Sequence, residues 1–284
     1  MVTKKVNIGG QALIEGVLIR SPNYISVAVR KKNKKIKSKI KYEPALYVKY
    51  KKLIFLRGIF ALWENLKLGI KETFYSTEES TDEKISNNEI ILTFLVTIPF
   101  ALLLFVGVPL FLTKLITKTS GYFDIIDGIF RIAIFLGYIW IISKMKDIRR
   151  VFQYHGAEHM AIACYENGKE LTIKNIRKFP KEHERCGTAF LFIVLLISIF
   201  FFSFIKSPVL WEKFVLRILL IPIIAGVSYE ILKLSSKYKN FFLSRWFIKP
   251  GLWLQYITTR KPSNEMIEVA KTAVENAVKK EKAL

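Results

Sequence analysis

Histidine and cysteine, the side chains that most often bind transition metals, are scarce in this sequence. The 284 residues include only three histidines and two cysteines. All five nevertheless lie between His155 and Cys186, a window of 32 residues. This clustering indicates a shared site, because residues this rare are not expected to gather in one segment by chance.

Acidic residues are also few, and the balance of charge separates this chain from ordinary soluble domains. Lys and Arg number 45 against 23 Asp and Glu, which gives a net charge of +22, while 51% of the residues are hydrophobic. A soluble domain has neither this apolar excess nor this charge. Apolar blocks beside basic blocks favour a membrane protein. Because no aromatic–basic recognition motif appears, nucleic acid is not expected as a partner.

Four apolar segments approach the length of about 20 helical residues that a bilayer core requires. They are 91–112 (ILTFLVTIPFALLLFVGVPLFL), 123–143, the run TAFLFIVLLISIFFFSFI from Thr188, and 209–232. The second and fourth are interrupted by charged residues, which near helix ends can snorkel or face a protein interior: Asp124, Asp127, Arg131, Glu212 and Arg217. No cleavable signal peptide is predicted, because the first apolar run begins too late.

The basic residues are distributed unevenly between the apolar segments. Residues 1–89, the 144–187 loop and the chain from Lys233 together hold 39 Lys and Arg, whereas the two other loops hold four. The positive-inside rule therefore places both termini and the 144–187 loop in the cytoplasm of a multi-pass protein of the cell membrane. The same charge is expected to attract anionic lipid headgroups. In this reducing compartment we do not expect a disulfide between the two cysteines.

These patterns predict an α-helical polytopic membrane protein with about four transmembrane helices, a small β-containing cytoplasmic N-terminal part and a cytoplasmic His/Cys loop. In chain order we expect a β-rich segment (1–52), an amphipathic or re-entrant helix (53–75), a polar linker (76–89), transmembrane helices 1 and 2 (90–143), the loop (144–187), transmembrane helices 3 and 4 (188–232), and an interfacial segment with a C-terminal helix (233–284).

Local signals place the ends of this organisation more closely. Alternation around Val27 predicts strands, and KKNKK is typical of a polar hairpin turn. The last helix is expected to begin at about Ser263, a good N-cap residue. Trp246, Trp253 and Tyr256 have spacings typical of a membrane-surface anchor.

Residues 146–166 are predicted to form a helix, since good helix formers follow a basic stretch and no proline interrupts them. His155 and His159 then lie one turn apart on the same face, a spacing that lets two imidazoles bind one metal ion. With Glu158 they form the pattern H-x-x-E-H, the inverted zinc-peptidase motif, in which the carboxylate activates water. Cys164, about 140° around the helix from His159, is expected to be a core thiol. In the alternative interpretation, the histidines are interfacial residues that bind lipid phosphates or backbone carbonyls.

His183 and Cys186 form a second pair, directly before the third apolar segment. A turn at Asn167-Gly168, a short strand and another turn are expected to fold this pair back onto the helix. If both residues join the two helical histidines, the metal tetrahedron is closed and the site is structural. If only one further ligand joins, a coordination position stays open for catalysis.

The N-terminal stretch GGQALIEG contains glycines that mark places where the backbone bends or approaches another group closely. Glu15 and Arg20 lie five residues apart, and we expect either a surface pair or two residues that line a site. Gln11 is a further candidate for the wall of that site. A close approach of Glu15 to His155 would favour a catalytic pocket.

Five stretches along the chain carry a family resemblance: GGQALIEGVLIRSP, RGIFALWENLKLGI, YHGAEHMAIACYENGKELTIKNIRKF, HERCGTAFLFIV and PGLWLQYITTR. Together they resemble the YqhQ-type family, uncharacterised bacterial membrane proteins described as predicted metal-dependent enzymes. The resemblance spans nearly the full length. It implies a polytopic inner-membrane protein with a metal site at His155, Glu158 and His159, extending to His183 and Cys186. It supplies no substrate.

Two functions from different classes fit these observations. In the first, the protein is a metal-dependent hydrolase at the cytoplasmic face, most simply a membrane-embedded peptidase. Zinc or another divalent transition metal is then held by His155 and His159, with His183 or Cys186 as third ligand and Glu158 as general base. Nearby basic residues would steer an anionic substrate such as a lipid headgroup.

In the second function, the loop is a zinc- or hydrogen-bond-stapled module, and the protein is a scaffold, assembly factor or subunit that binds a protein partner or a second copy. A channel or transporter is a weaker third option, because the charged residues of the apolar segments cluster near helix ends.

Overall fold

A computed structural model describes residues 5–46, 50, 52–53, 56–117, 120–184, 186–238 and 242–284 of the chain. The strands are β1 (Gly9–Leu13), β2 (Gly16–Arg20), β3 (Tyr24–Arg30) and β4 (Ile36–Tyr42). The helices are α1 (Leu56–Thr81), α2 (Asn87–Leu102), α3 (Val108–Ile116), α4 (Ser120–Ile142), α5 (Lys146–Glu166), α6 (Ile173–Ile176), α7 (Gly187–Phe202), α8 (Leu210–Lys237), α9 (Phe242–Thr258) and α10 (Asn264–Lys282).

The strands form one antiparallel sheet in the order β1-β2-β3-β4, as the alternation around Val27 predicts. The KKNKK turn joins β3 to β4, with Lys34 at a positive φ of 65°. Because successive side chains of a strand point to opposite faces, Val17 and Ile19 of β2 enter one core while Leu18 enters another. Both faces of the sheet are therefore covered.

Helices α5 and α10 cover one face of the sheet, and α1 covers the other. Helix α10 begins where the sequence predicts, with the Ser263 side chain accepting a hydrogen bond from the backbone N–H of Met266. Its buried residues recur at helical spacing and form one apolar face: Met266, Ile267, Val269, Ala270, Ala273, Val274, Ala277 and Val278. That face packs against both the sheet and α5, so the C-terminus closes the core begun by the N-terminus.

Among the described residues, three helical stretches are long and apolar enough to cross a membrane, judged by length and composition: Asn87–Ile116, Tyr122–Ile142 and Leu210–Ser235. The first includes α2, a π-helical turn at Leu103–Gly107, and α3. Helix α7 is apolar but has 16 residues, about 24 Å of helix at 1.5 Å per residue. The structure is thus mostly helical and compatible with a membrane protein, while the count of four crossings stays a prediction.

Three charged residues of these apolar helices face the protein interior, whereas Glu212 in the first turn of α8 is exposed. Asp127 of α4 accepts hydrogen bonds from Arg131 at 2.9 Å and from Arg217 of α8 at 2.8 Å. All three side chains are buried. This pairing compensates charges that would be costly beside lipid.

Two local predictions are wrong. The expected polar linker at 76–89 is helical as far as Thr81, where Ser76 and Ser80 are buried against the rest of the protein. The strand expected after the Asn167-Gly168 turn is the short helix α6, which the Thr172 side chain caps at the N–H of Asn175.

Candidate metal site

Helix α5 brings His155 and His159 together, as their spacing predicts. Their ring centroids are 4.3 Å apart. His159 and the neighbouring Glu158 are both buried, each with 3% of its surface exposed. His155 and His159 face the segment that precedes α7. The loop therefore folds back onto α5, although the structure within the loop differs from the prediction.

Two backbone carbonyls orient the imidazole rings. Nδ1 of His155 lies 2.9 Å from the carbonyl oxygen of Thr258, and Nδ1 of His159 lies 2.6 Å from that of Lys181. A carbonyl oxygen only accepts, so in each neutral ring Nδ1 carries the hydrogen and Nε2 keeps its lone pair. Metal-binding histidines are typically held in this way by an outer acceptor.

Cys186 completes a group of three ligand atoms. It is the N-cap of α7, and its Sγ accepts from the N–H of Thr188 at 3.4 Å and lies 3.1 Å from Nε2 of His155. The ligand atoms of His155, His159 and Cys186 all lie within 4.8 Å of one another. Tetrahedral bonds of about 2.1 Å to nitrogen and about 2.3 Å to sulfur separate ligand atoms by about 3.5 Å. Side-chain shifts of about 1 Å would therefore fit zinc, whose usual ligands are these nitrogens and sulfurs.

Glu158 lies beside this group in a dry environment. Its Oε2 is 3.7 Å from Nε2 of His159. Burial raises the pKa of Glu158 to about 8, an effect that Cys186 reinforces and His155 opposes. Gly10 of β1 packs directly on the carboxyl group, since a Cβ at that position would lie 2.5 Å from Oε1.

Burial also shifts the pKa values of His159 and Cys186. Burial lowers the pKa of His159, and the neighbouring His155 lowers it further, so its ring is neutral at pH 7. Burial raises the pKa of the Cys186 thiol, although hydrogen bonds from Thr188 oppose the rise. Without a metal, the His159 ring and the Cys186 thiol are therefore neutral at pH 7, and a bound cation would favour the thiolate.

His183 lies near the group but outside it. Its ring centroid is 5.6 Å from that of His159, and its Nε2 contacts Oε2 of Glu166 at 3.2 Å. The side-chain amide of Gln255 in α9 makes two hydrogen bonds to the backbone of His183: it accepts from the N–H and donates to the carbonyl oxygen. Cys164 is fully buried in the core, as predicted.

The three residues predicted as a site wall separate in the structure. Glu15 bonds Arg150 and the hydroxyl of Tyr154 on α5, directly before His155. Arg20 instead forms a buried pair with Glu64 of α1 at 2.7 Å, so the expected Glu15–Arg20 pair is wrong. Gln11 donates to the carbonyl of Asn65 in α1, on the face of β1 opposite to Gly10.

Sequence reasoning missed the groups that hold the histidines in place. The carbonyls of Thr258 and Lys181 lie far from α5 along the chain, and a backbone carbonyl has no residue signature. Gly156, between the histidine and glutamate of the motif, admits the carbonyl oxygen of Arg260, with which a Cβ would collide. A glycine inside a predicted helix was the available signal for this close approach.

The fold and site together define a class: a mostly helical protein in which apolar helices accompany a small antiparallel sheet and a buried His/Cys group. A family model described as "Protein of unknown function (DUF1385)" matches residues 53–280. The uncharacterized protein YqhQ of Bacillus subtilis (strain 168) is 34% identical over 291 residues, covering 92% of this chain and 89% of that protein. The chain belongs to this YqhQ-type family. No solved structure matches it.

Proposed function

We propose that this protein is a zinc-dependent hydrolase of the cell membrane, most simply a peptidase, with its site at the cytoplasmic interface. One observation carries the proposal: the ligand atoms of two imidazoles and one cysteine lie within 4.8 Å of one another, beside a buried glutamate. Three protein ligands leave one coordination position open, as catalytic zinc sites require. The apolar helices and the uneven distribution of basic residues support the membrane location with both termini in the cytoplasm.

Each residue then has a separate role. His155, His159 and Cys186 hold the ion, and the carbonyls of Thr258 and Lys181 orient the two rings. A bound zinc ion would act as a Lewis acid and lower the pKa of water toward about 7. A bound cation would favour the carboxylate form of Glu158, which would then accept the proton of the attacking water and return it to the leaving group. The raised pKa of Glu158 favours the second step, because a carboxyl group with a pKa near 8 readily holds a proton at neutral pH.

A second candidate function is a non-catalytic scaffold or assembly protein. The contact of 3.1 Å between Nε2 of His155 and Sγ of Cys186 joins α5 to the start of α7 without any ion. Cysteine ligands are also more frequent in structural zinc sites than in hydrolytic ones. In this alternative the group staples the cytoplasmic core to the apolar helices, and Glu158 has no chemical role.

Zinc content is the first measurement. Detergent-purified protein, prepared without chelator, is expected to contain about one zinc per chain by mass spectrometry, as a mononuclear site requires. His159→Ala is expected to contain almost none, because it removes one of only three ligands. Cys164→Ala is the matched control, since this buried thiol lies outside the group and its loss should leave the metal in place.

Glu158→Gln separates the two functions. It keeps the size of the side chain but removes the base, so a hydrolase should retain zinc and lose hydrolysis of a peptide library by a factor of about 100 or more. Zinc retained in the parent with no hydrolysis by either protein would favour the scaffold. Absence of zinc from the parent, even after zinc is added, would overturn the hydrolase and leave the scaffold, whose His155–Cys186 contact needs no ion.

A further inference from the structure

A basic cavity adjoins the candidate metal site on the side of α9. Its volume is about 300 Å³, enough for a phosphate group with part of its ester. The lining residues come from α5, from the segment before α7, and from α9 and the residues that follow it: Arg149, Gln153, Lys181, Tyr256, Thr259, Arg260 and Lys261. Four of these side chains are cationic and none is a carboxylate, so the cavity suits an anion.

One of the four cations is already compensated. Nζ of Lys181 lies 3.0 Å from the carboxylate of Glu182 and bonds the carbonyl and hydroxyl oxygens of Thr259. This arrangement fixes one wall of the cavity. The charge available to a ligand therefore comes from Arg149, Arg260 and Lys261.

Arg260 contributes a guanidinium group to the lining of the cavity. Its Nε is buried and has no hydrogen-bond partner among the described residues. A buried guanidinium N–H without an acceptor is unfavourable, and phosphate oxygens match the fork of donors that arginine presents. The backbone of Arg260 is held firmly, with its N–H donating to the carbonyl of Phe152 at 2.8 Å.

The cavity and the metal group share their supporting segments. Lys181 provides the carbonyl that holds His159, and Thr258, next to Thr259, provides the one that holds His155. A ligand in the cavity would thus lie against the same backbone that orients the two imidazoles. This places an anion-binding pocket beside the chemistry rather than at a remote surface.

Two exposed aromatic side chains of α9, one of which lines the cavity, indicate the source of the anion. Tyr256 lines the cavity and is 62% exposed, and Trp253, one turn earlier on α9, is 65% exposed. Amphipathic aromatic rings of this kind concentrate at the level of lipid headgroups. An exposed aromatic pair beside a basic cavity fits a ligand with a phosphate group and an apolar tail.

We propose that this cavity binds a phosphate group, and that an anionic phospholipid carries it. Arg260 and its neighbours Arg149 and Lys261 would bind the phosphate oxygens, while Tyr256 and Trp253 would contact the glycerol and upper acyl chains. The claim that the adjoining site acts on such a lipid rests on the proposed hydrolase. The claim that the cavity binds a phosphate group does not depend on it.

The test measures binding to the metal-free, full-length protein in a neutral detergent, so that zinc cannot contribute. Isothermal titration calorimetry measures the binding of three probes: short-chain phosphatidylglycerol, inorganic phosphate and short-chain diacylglycerol. We expect the phosphatidylglycerol to bind, phosphate to bind less tightly, and diacylglycerol not to bind. Arg260→Gln and Lys261→Gln are each expected to lower the affinity for phosphatidylglycerol by about tenfold, the effect of losing one charge-assisted hydrogen bond.

A matched control removes the same charge elsewhere. Lys279 and Lys280 are exposed near the end of α10, and the double variant Lys279→Gln/Lys280→Gln should bind phosphatidylglycerol as the parent does. Thermal unfolding of every variant, and Arg260→Lys, which keeps the charge but loses the fork, separate a lost contact from a lost fold. No binding by the parent, or equal weakening in the control, would overturn the pocket.

Two further outcomes distinguish the lipid from free phosphate and this inference from the proposed function. Equal affinity for phosphate and phosphatidylglycerol would keep the phosphate pocket and remove the lipid as its source. Phosphate binding in a protein that takes up no zinc would leave the pocket standing while the hydrolase fails. A zinc-loaded protein that binds neither phosphate probe would leave the hydrolase standing while the pocket fails.

Discussion

Gly10 determines how closely the first strand approaches the carboxyl group of Glu158. A Cβ on Gly10 would lie 2.5 Å from Oε1 and 2.8 Å from Cγ of Glu158, closer than real Cβ contacts. The absence of a side chain therefore lets the sheet seal Glu158 from water. The same seal is the main cause of its raised pKa. Gly10, which has no side chain, thus contributes to the burial that raises the pKa of Glu158.

Gly10→Ala should disturb the site, whereas Gly9→Ala should not. The added methyl group forces Glu158 or β1 to move, which we expect to destabilise the protein by about 1–3 kcal/mol. Zinc content should fall together with the midpoint of thermal unfolding, because Glu158 and His159 are adjacent. Gly9 is the matched control, since a Cβ there meets nothing within 4 Å. Equal losses in the two variants would show that strand flexibility, and not the approach to Glu158, matters.

The candidate site was predictable where residue type and helical spacing were sufficient. His155 and His159 share a helix face because residues four apart must, and Cys164 is buried because it points elsewhere. The wall residues were not predictable, since Gln11 and Gly10 are neighbours in sequence but point to opposite faces of β1. Only knowledge of which face packs on α5 could select Gly10, and that depends on contacts distant in sequence.

Helix α1 illustrates the same limit at the scale of an element. Its apolar sequence interrupted by charges predicts an amphipathic or re-entrant segment beside the membrane. In the structure two of those charges face partners inside the protein, while Lys67 is exposed: Glu64 pairs with Arg20 of β2, and Glu72 pairs with Lys39 of β4 at 2.6 Å. Periodicity can identify the helix, but it cannot tell a charge that meets water or lipid from one that meets a sheet.

The Arg20–Glu64 pair should be costly to break from one side. Both side chains are 8% exposed, and Glu64 also accepts from the backbone N–H of Leu46. Arg20→Met leaves a buried carboxylate without its cation, so we expect a loss of about 3–5 kcal/mol in stability. Chemical or thermal unfolding in detergent would measure this loss.

A second substitution tests the cause. Adding Glu64→Gln to Arg20→Met removes the uncompensated charge and should recover part of the lost stability. Lys41→Met is the matched control, because Lys41 pairs with Glu43 on the surface and exposed pairs contribute about 1 kcal/mol or less. A double variant no more stable than Arg20→Met alone would mean that the arginine acts through packing rather than charge.

At the scale of the whole molecule, the packing of the termini restricts how the chain can cross a membrane. The sheet, α5 and α10 share one core, so they must lie on the same side. The three long apolar stretches alone would leave α10 opposite the sheet, since an odd number of crossings separates the ends. If those three stretches cross, one further crossing is required, and α7 is the remaining apolar helix found among the described residues. Its 16 residues are shorter than the usual minimum of about 17, and residues beyond Phe202 can complete the span.

Cysteine labelling in intact cells tests this parity directly. Lys206→Cys lies between α7 and α8, and Lys279→Cys lies near the end of α10, both at exposed positions. The native Cys164 and Cys186 are buried and should give little background. With four crossings and the basic segments in the cytoplasm, a membrane-impermeant maleimide should label Lys206→Cys in intact cells and Lys279→Cys only after permeabilisation.

The opposite labelling pattern would mean either that α7 does not cross or that the orientation is inverted. Labelling of a third variant, Asp82→Cys, would separate these two cases. In the first case Asp82→Cys stays protected on the cytoplasmic side; in the second it is labelled in intact cells. Protection of Asp82→Cys with labelling of Lys279→Cys would contradict the shared core of sheet and α10.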